Sequence, residues 1–378
     1  MRAARAFTGW IRHYNILDRV VTELVTSSDV IDEIWAALCY FAEVPDAGKD
    51  LLKSRGVSDV ELDDAFISLQ SFLRQGRAFY AAAQHASWRS SPLIYYYAFL
   101  NLVKAVICLK YPLKVRGKIA HGLSHQLKDG KLEDQTLVVT DGVFPLLYEL
   151  LLDEPLKPGL MFDVLSVLSY CTDVAAEIQS VKGAKTRTIY GKSRFYVHQN
   201  LGHAVLALHR FDHFEDCPPA KERFYKFFEE VTLDLARKRN EFALLAEEAA
   251  TFRFFEPIET VPADQAPAIP LTAIGKHCYD ALRPFLLEYT YKFNDVDFSL
   301  CRPLTCGPQT IHFNEILGIY SAVYFLGSLV RYYPRYFETA LVTKDVWMID
   351  VFIRSAPITL LRYLANRVFP ENRTYSAR

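Results

Sequence analysis

Apolar positions recur at helical spacing along most of the chain. Ile16, Val20, Val21 and Leu24, then Ile31, Ile34, Leu38 and Phe41, repeat with the period of a helix that buries one face. Ser27, Ser28 and Asp29 interrupt that run, and their side-chain oxygens suit a cap. Two helices are therefore predicted over 16–43, the second capped by Ser28 or Asp29. Residues 58–87 predict a further helix, with Ser58 and Glu61 at capping-box spacing. Ser90-Ser91-Pro92 predicts a helix start, because proline suits the first turn and gives up no needed N–H. That helix runs from Leu93 to about Lys110. Leu137-Val138-Val139-Thr140, followed by Asp141-Gly142, predicts a strand and turn, and 159–179 a helix.

The pattern changes near 183. GAKTRTIYGKSRFYVH alternates, with Gly191 at its middle, and predicts a hairpin or a pair of short strands. Pro218-Pro219 predicts the start of a long helix over about 220–250, with Phe224, Phe228, Val231, Leu235 and Phe242 on its buried face. TFRFFEP predicts a strand. Pro257, Pro262, Pro267 and Pro270 mark an extended linker. Helices are expected again over 272–292, 314–332 and 345–367, and no internal repeat is visible. The result is a mainly α protein with a small β element (α+β), built of helical bundles with a short antiparallel hairpin or sheet in the middle. The expected domains are 1–180 (N-terminal helical region), 181–256 (basic hairpin plus long helix), 257–270 (Pro-rich linker) and 271–378 (C-terminal helical region).

Composition narrows the class. The 378 residues are 51% hydrophobic, 14% aromatic and 23% charged, with a net charge of −1, which excludes a disordered chain and a small disulfide scaffold. A pI near 6.8 means that any nucleic-acid role must use a local patch. The 7 cysteines are scattered among apolar neighbours and are expected to be small buried hydrophobes in a reducing, cytoplasmic setting. Arg2, Arg5 and Arg12 give the first residues a transit-like look, but Asp18 and Glu23 continue the same helical pattern. Residues 93–111 contain Asn101 and Lys104. Residues 316–330 are flanked by Glu315 and Arg331 and fall short of the roughly twenty needed to span a bilayer. Both predict buried helices, and no membrane partner is expected.

Tyr97, Asn101, Lys104 and Cys108 share one face of the helix at 93–110. An amide and an ammonium on an apolar helix are costly unless paired. The stripe is either the solvent edge of the helix or a buried polar row satisfied from elsewhere. Arg116 and His121, with His125 beyond, follow at once. An imidazole that moves a proton and a guanidinium that stabilises phosphorane charge suit cleavage of RNA. The plainer alternative makes His121-Gly122 a helix end capped by the glycine. Gly117 and Gly122 work against one continuous helix through the pair.

Lys182, Lys185, Arg187, Lys192 and Arg194, interleaved with Tyr190 and Phe195, form either an RNA or phosphate surface or an edge strand charged against aggregation. Arg331 and Arg335 flank Pro334 after an apolar helix, as a surface exit or as a phosphate or carboxylate partner. Arg239 lies on an apolar helix side, where an arginine can snorkel. His198, His203, His209 and His213, with Asp212, Asp216 and Cys217, lack a recognisable metal spacing, as do Cys301, Cys306 and His312. No phosphate loop, dinucleotide fingerprint or nucleophile elbow occurs, so no metal and no cofactor is expected. With 26 Phe and 22 Tyr, most aromatics are expected to anchor helical layers. Tyr190, Phe195, Tyr332, Tyr333 and Tyr336 are the candidates for stacking on a ligand.

SPLIYYYAFLNLVKA (91–105), HGLS (121–124) and GSLVRYYPRYF (327–337) resemble the YaaC-like family of bacterial proteins. The first run and its following His-Gly are also similar to HEPN domains, small helical bundles that act as RNases or nucleotide-handling partners. That resemblance implies Arg116 and His121 as an Arg-x4-His nuclease pair, and a homodimer in which two such pairs face each other. Two functions remain open. One is a binding or regulatory protein for nucleotide or RNA, with Tyr97, Asn101 and Lys104 meeting His121, and with Lys185, Arg187, Tyr190, Lys192, Arg194 and Arg331 as further contacts. The other is a metal-independent ribonuclease, a toxin or defence effector, acting alone or with a partner protein.

Overall fold

Helix starts in the protein are set by the residues that can satisfy free backbone N–H groups. Asp29 Oδ1 accepts from the N–H of Ile31 at 3.1 Å and of Asp32 at 3.0 Å, and opens α1 (Val30–Glu43). Pro45 opens α2 (Pro45–Ser54). Helix α3 (Leu62–His85) starts four residues later than expected, with Glu61 rather than Ser58 before it; the Ser58 hydroxyl donates to Glu61 Oε2 at 2.8 Å, and neither side chain caps a backbone N–H of the helix. Pro92 sits in the first turn of α4 (Ser91–Cys108). The structure is a computed structural model, and it describes residues 5–7, 21–27, 29–128, 131–198, 203–209, 222, 225–226, 228–232, 234–235, 252–258, 286–292, 295–340, 344–370 and 372–377.

The chain divides into two compact units. The first combines Glu23–Arg187 with Leu304–Arg378. In it, α5 (Pro112–Val115) leads to an antiparallel sheet of β3 (His121–Gln126), β4 (Thr136–Gly142) and β5 (Met161–Asp163). Helix α6 (Val143–Leu152) leaves β4 directly, and α7 (Val164–Leu168) and α8 (Ala175–Lys182) follow. The chain returns at residue 304 with the hairpin β12 (Leu304–Cys306) and β13 (Gln309–Ile311). Then come α9 (Glu315–Tyr332), α10 (Pro334–Ala340) and α11 (Asp345–Val368). A short sheet joins β2 (Val21–Ser27) to β14 (Asn372–Ala377).

Helix α4 is the centre of this unit, packed against α3, α6, α9 and α11. It buries every residue except Leu93, Ile94, Tyr97 and Lys104. Helix α9 is buried all round from Glu315 to Leu329, and Asn314 caps it by accepting from the Leu317 N–H at 3.0 Å. Among the described residues α4 alone is long and apolar enough to cross a membrane, and 72% of that stretch is buried inside the protein.

The second unit holds Met1–Thr22 and Thr188–Pro303. Its described part is an antiparallel sheet in the order β10 (Leu286–Lys292), β11 (Asp295–Cys301), β6 (Thr188–His198), β7 (His203–His209), β9 (Phe252–Pro257) and β8 (Phe228–Val231). β1 (Arg5–Phe7) pairs with the far end of β6, beyond the stretch that pairs with β11.

The protein is thus mostly helical with small open sheets, as the periodicity predicts, but several elements differ from the expectation. Gly191 does not turn a hairpin; it sits mid-strand in β6, opposite Phe298. The strand runs through it without a break because β11 pairs with Thr188–Ser193 and β7 takes over from Ser193 to His198. Phe228 and Val231, spaced as a helix face, lie on β8, where Glu230 opposes Phe255 and Val231 opposes Phe254. Pairing with the aromatic strand β9 outweighs local helical spacing there. The rest of the long helix expected at 220–250 falls almost wholly outside the described residues. Leu286–Lys292 is a strand where the end of a helix was expected. Within 159–179, β5 precedes α7, a 3-10 turn at Thr172–Val174 and the start of α8, and within 16–43 the part before Asp29 contains β2.

Candidate functional site

Gly122 determines where His121 stands. Its φ is +84°, and a Cβ there would lie 2.5 Å from the Phe144 nitrogen and 2.6 Å from Pro145 Cδ, so only glycine fits. The ladder of β3 and β4 shifts register between His121 and Leu123, and such a bulge re-aims the side chain beside it. The His121 ring meets Tyr96 of α4 and Tyr324 of α9, with centroids 5.4 and 6.2 Å away. The Tyr96 hydroxyl lies 2.6 Å from His121 Nδ1. Tyr324 donates to the Leu123 carbonyl at 2.7 Å and ties α9 to β3.

Gly327 brings α9 close to α4, since a Cβ there would lie 3.1 Å from Tyr96 Cβ. One turn on, the Arg331 guanidinium donates to the Tyr97 hydroxyl and lies 4.9 Å above the Tyr332 ring. Asn101 is buried and donates back to the Tyr97 carbonyl at 2.9 Å, so it serves its own helix. Lys104 Nζ lies 5.8 Å from the centre of Phe72 and, like Arg331, acts electrostatically on His121. The stripe on α4 is therefore both things at once: Asn101 is internal, while Tyr97 and Lys104 form the open edge.

Burial, then the charges of Lys104 and Arg331, hold the His121 imidazole below its usual 6.5. Burial also lowers Lys104 from 10.5 and His125 from 6.5. It pushes the Tyr96 phenol far up, with Tyr320 and Tyr324 adding to the effect. His125 packs against Tyr324, Phe325 and Tyr333, and its Nε2 is buried without a hydrogen-bond partner. Neither Lys104 nor Arg331 has a carboxylate partner among the described residues. The result is a half-buried, uncompensated positive site around a neutral imidazole, built from α4, β3 and α9.

The family model for YaaC-like proteins matches residues 49–368. The chain belongs to the YaaC-like family. The match contains every residue of this cluster. No curated protein and no solved structure matches the chain.

The remaining candidates from the family-like sequence fall elsewhere. Arg116 follows α5 and turns toward α3, where its guanidinium pairs with Asp64 at 2.8 Å, both side chains exposed. It borders a cavity of about 390 Å³ that Val60, Glu61, Ser68 and Leu113 also line. The residues between Arg116 and His121 are not helical, and His121 starts a strand. Lys185 is exposed, and Arg187 lies 5.9 Å from the Tyr170 ring. Tyr190, Lys192 and Arg194 stand on β6 opposite Ser299, Asp297 and Ala207 of the neighbouring strands, and their side chains lie outside the described residues.

Among the described residues no group of three or more His, Cys, Asp or Glu is placed to hold a metal. His209 is on β7, and 213–217 lie outside the described residues. His312 Nδ1 meets the Glu154 carboxylate at 3.0 Å, and Cys301 Sγ lies 3.6 Å from the Thr188 hydroxyl.

Sequence reasoning missed Tyr96 and Tyr324 as members of the site, and named His125 beside His121 without giving it a role. Tyr324 carried one usable signal: a phenol inside an uncharged apolar helix needs a polar partner.

Proposed function

We propose that this YaaC-like protein is a nucleotide- or nucleic-acid-associated binding and regulatory protein whose ligand is held at Lys104, His121 and Arg331. The observation that carries the reading is the convergence of two cations on a neutral histidine with no acidic partner among the described residues. Uncompensated positive charge in a partly desolvated place favours an anion. Aromatic surface adjoins it: Tyr332 is 58%, Tyr333 40% and Phe79 36% exposed, and the Phe79 ring lies 5.6 Å from that of Tyr97. Such rings supply a stacking platform for a base.

The test is fluorescence anisotropy with a labelled nucleotide and a short single-stranded RNA. Saturable binding that is lost in Lys104→Ala and Arg331→Ala supports the reading, and affinity unchanged in both variants overturns it. Total RNA incubated without metal supplies the complementary arm. Cleavage abolished by both His121→Ala and Arg116→Ala would replace the binding function with a ribonuclease.

A further inference from the structure

Resting on that binding function, we propose that the site recognises a terminal phosphate monoester, the dianionic end of a nucleotide or an RNA strand, and that His121 serves it as a neutral Nε2–H donor. The tautomer follows from hydrogen-bond accounting. The Tyr96 hydroxyl lies 2.6 Å from His121 Nδ1; of the two α9 phenols beside it, Tyr324, the nearer, donates to the Leu123 carbonyl, and the buried Tyr320 hydroxyl has no hydrogen-bond acceptor other than Tyr96 to turn to, so it points its proton at the Tyr96 oxygen. The Tyr96 proton therefore goes to Nδ1, which accepts. A neutral imidazole that accepts at Nδ1 carries its proton on Nε2 and donates there. Burial keeps Tyr96 protonated and His121 neutral, which holds this arrangement in place.

Charge then selects the ligand class. Arg331 and Lys104 supply two positive charges, His121 supplies a donor without charge, and no carboxylate among the described residues offsets them. A phosphate monoester carries close to two negative charges at neutral pH and has three terminal oxygens, one for each donor. A phosphodiester carries one charge and two free oxygens, so it leaves one cation uncompensated and one donor unused. A histidine fixed as a donor does not serve as the base of an RNA-cleaving pair, which is why this inference favours holding over cleaving.

The test is isothermal titration of the full-length protein with adenosine 5′-monophosphate, cyclic 3′,5′-adenosine monophosphate, adenosine and inorganic phosphate. The monophosphate is expected to bind about tenfold or more tightly than the cyclic diester, and inorganic phosphate to compete with it. Arg331→Ala, at an exposed position near the end of α9, is expected to lower monophosphate affinity by about tenfold while leaving the fold intact. Long-range ¹H–¹⁵N NMR of the histidine rings is expected to show His121 in the Nε2–H form, and Tyr96→Phe to release it to a mixture. Equal affinity for monoester and diester, or an Nδ1–H tautomer in the wild type, overturns this inference and leaves the binding function standing. Absence of binding to every nucleotide, phosphate and single-stranded RNA overturns both.

Discussion

Glu315 has no exposed surface, yet it is a carboxyl group at the first position of α9. It accepts from the Thr172 N–H at 2.6 Å, from the Thr172 hydroxyl, and from the Tyr363 hydroxyl at 3.1 Å. Burial outweighs these bonds and pushes its pKa from 4.5 up to about 7. The folded protein therefore retains a proton that the unfolded chain releases above pH 4.5. The resulting stabilisation is fully present below pH 4.5 and is lost as pH rises to about 7, a change of about 3 kcal/mol for a rise of that size. His121 and His125 act in the opposite sense. Their folded pKa values lie below 6.5, so their contribution is present above 6.5 and is lost as pH falls through the folded values. Urea unfolding of Glu315→Gln is expected to lose the decline between pH 4.5 and 7 and to keep the acid-side loss. A variant profile parallel to that of the wild type would contradict the assignment.

At the scale of elements, the approach of α9 to α4 assembles the site. Gly327 faces Tyr96 Cβ at 3.1 Å and the Pro92 carbonyl at 3.4 Å, measured from where a Cβ would stand. Gly327→Val is expected to destabilise the protein by about 1–3 kcal/mol through overpacking, read as a lower denaturant midpoint. It should also weaken anion binding, because Arg331 lies one turn along the same helix; retention of full affinity would show that the spacing is not what positions Arg331. The helices were largely legible in sequence, because their signals are local. Asp29 and Pro92 each act within one turn, and the buried faces of α1 and α3 repeat at helical spacing; Asn314, which caps α9, acts as locally but was not singled out. The strand at Phe228–Val231 was not legible, because its state depends on a partner strand farther along the chain; Leu286–Lys292 pairs with the next strand in sequence, a local hairpin hidden beneath the helical spacing read over 272–292.

At the scale of the whole molecule, the helical unit is interrupted once, between Arg187 and Leu304. The interruption begins and ends side by side, since Thr188 opposes Cys301 in the ladder of β6 and β11. A segment whose ends meet can be removed with little strain on its host. Joining residues 23–187 to 304–378 through a short Gly-Ser linker is expected to preserve helical circular dichroism, cooperative unfolding and anion binding. Lys104, His121 and Arg331 all lie in the retained segments. A non-cooperative melt would show that the helical unit needs the sheet unit to fold.

The amino-acid sequence alone determined the helical framework, the main caps, the family resemblance and the polar residues worth watching on α4, because periodicity and capping are local properties. The tertiary structure decided which of those residues meet. His121 finds Tyr96 across 25 residues and Tyr97 finds Arg331 across 234, whereas Arg116 turns to Asp64. Contacts of that range follow from the packing of α4, β3 and α9 around one another, and no local spacing encodes them.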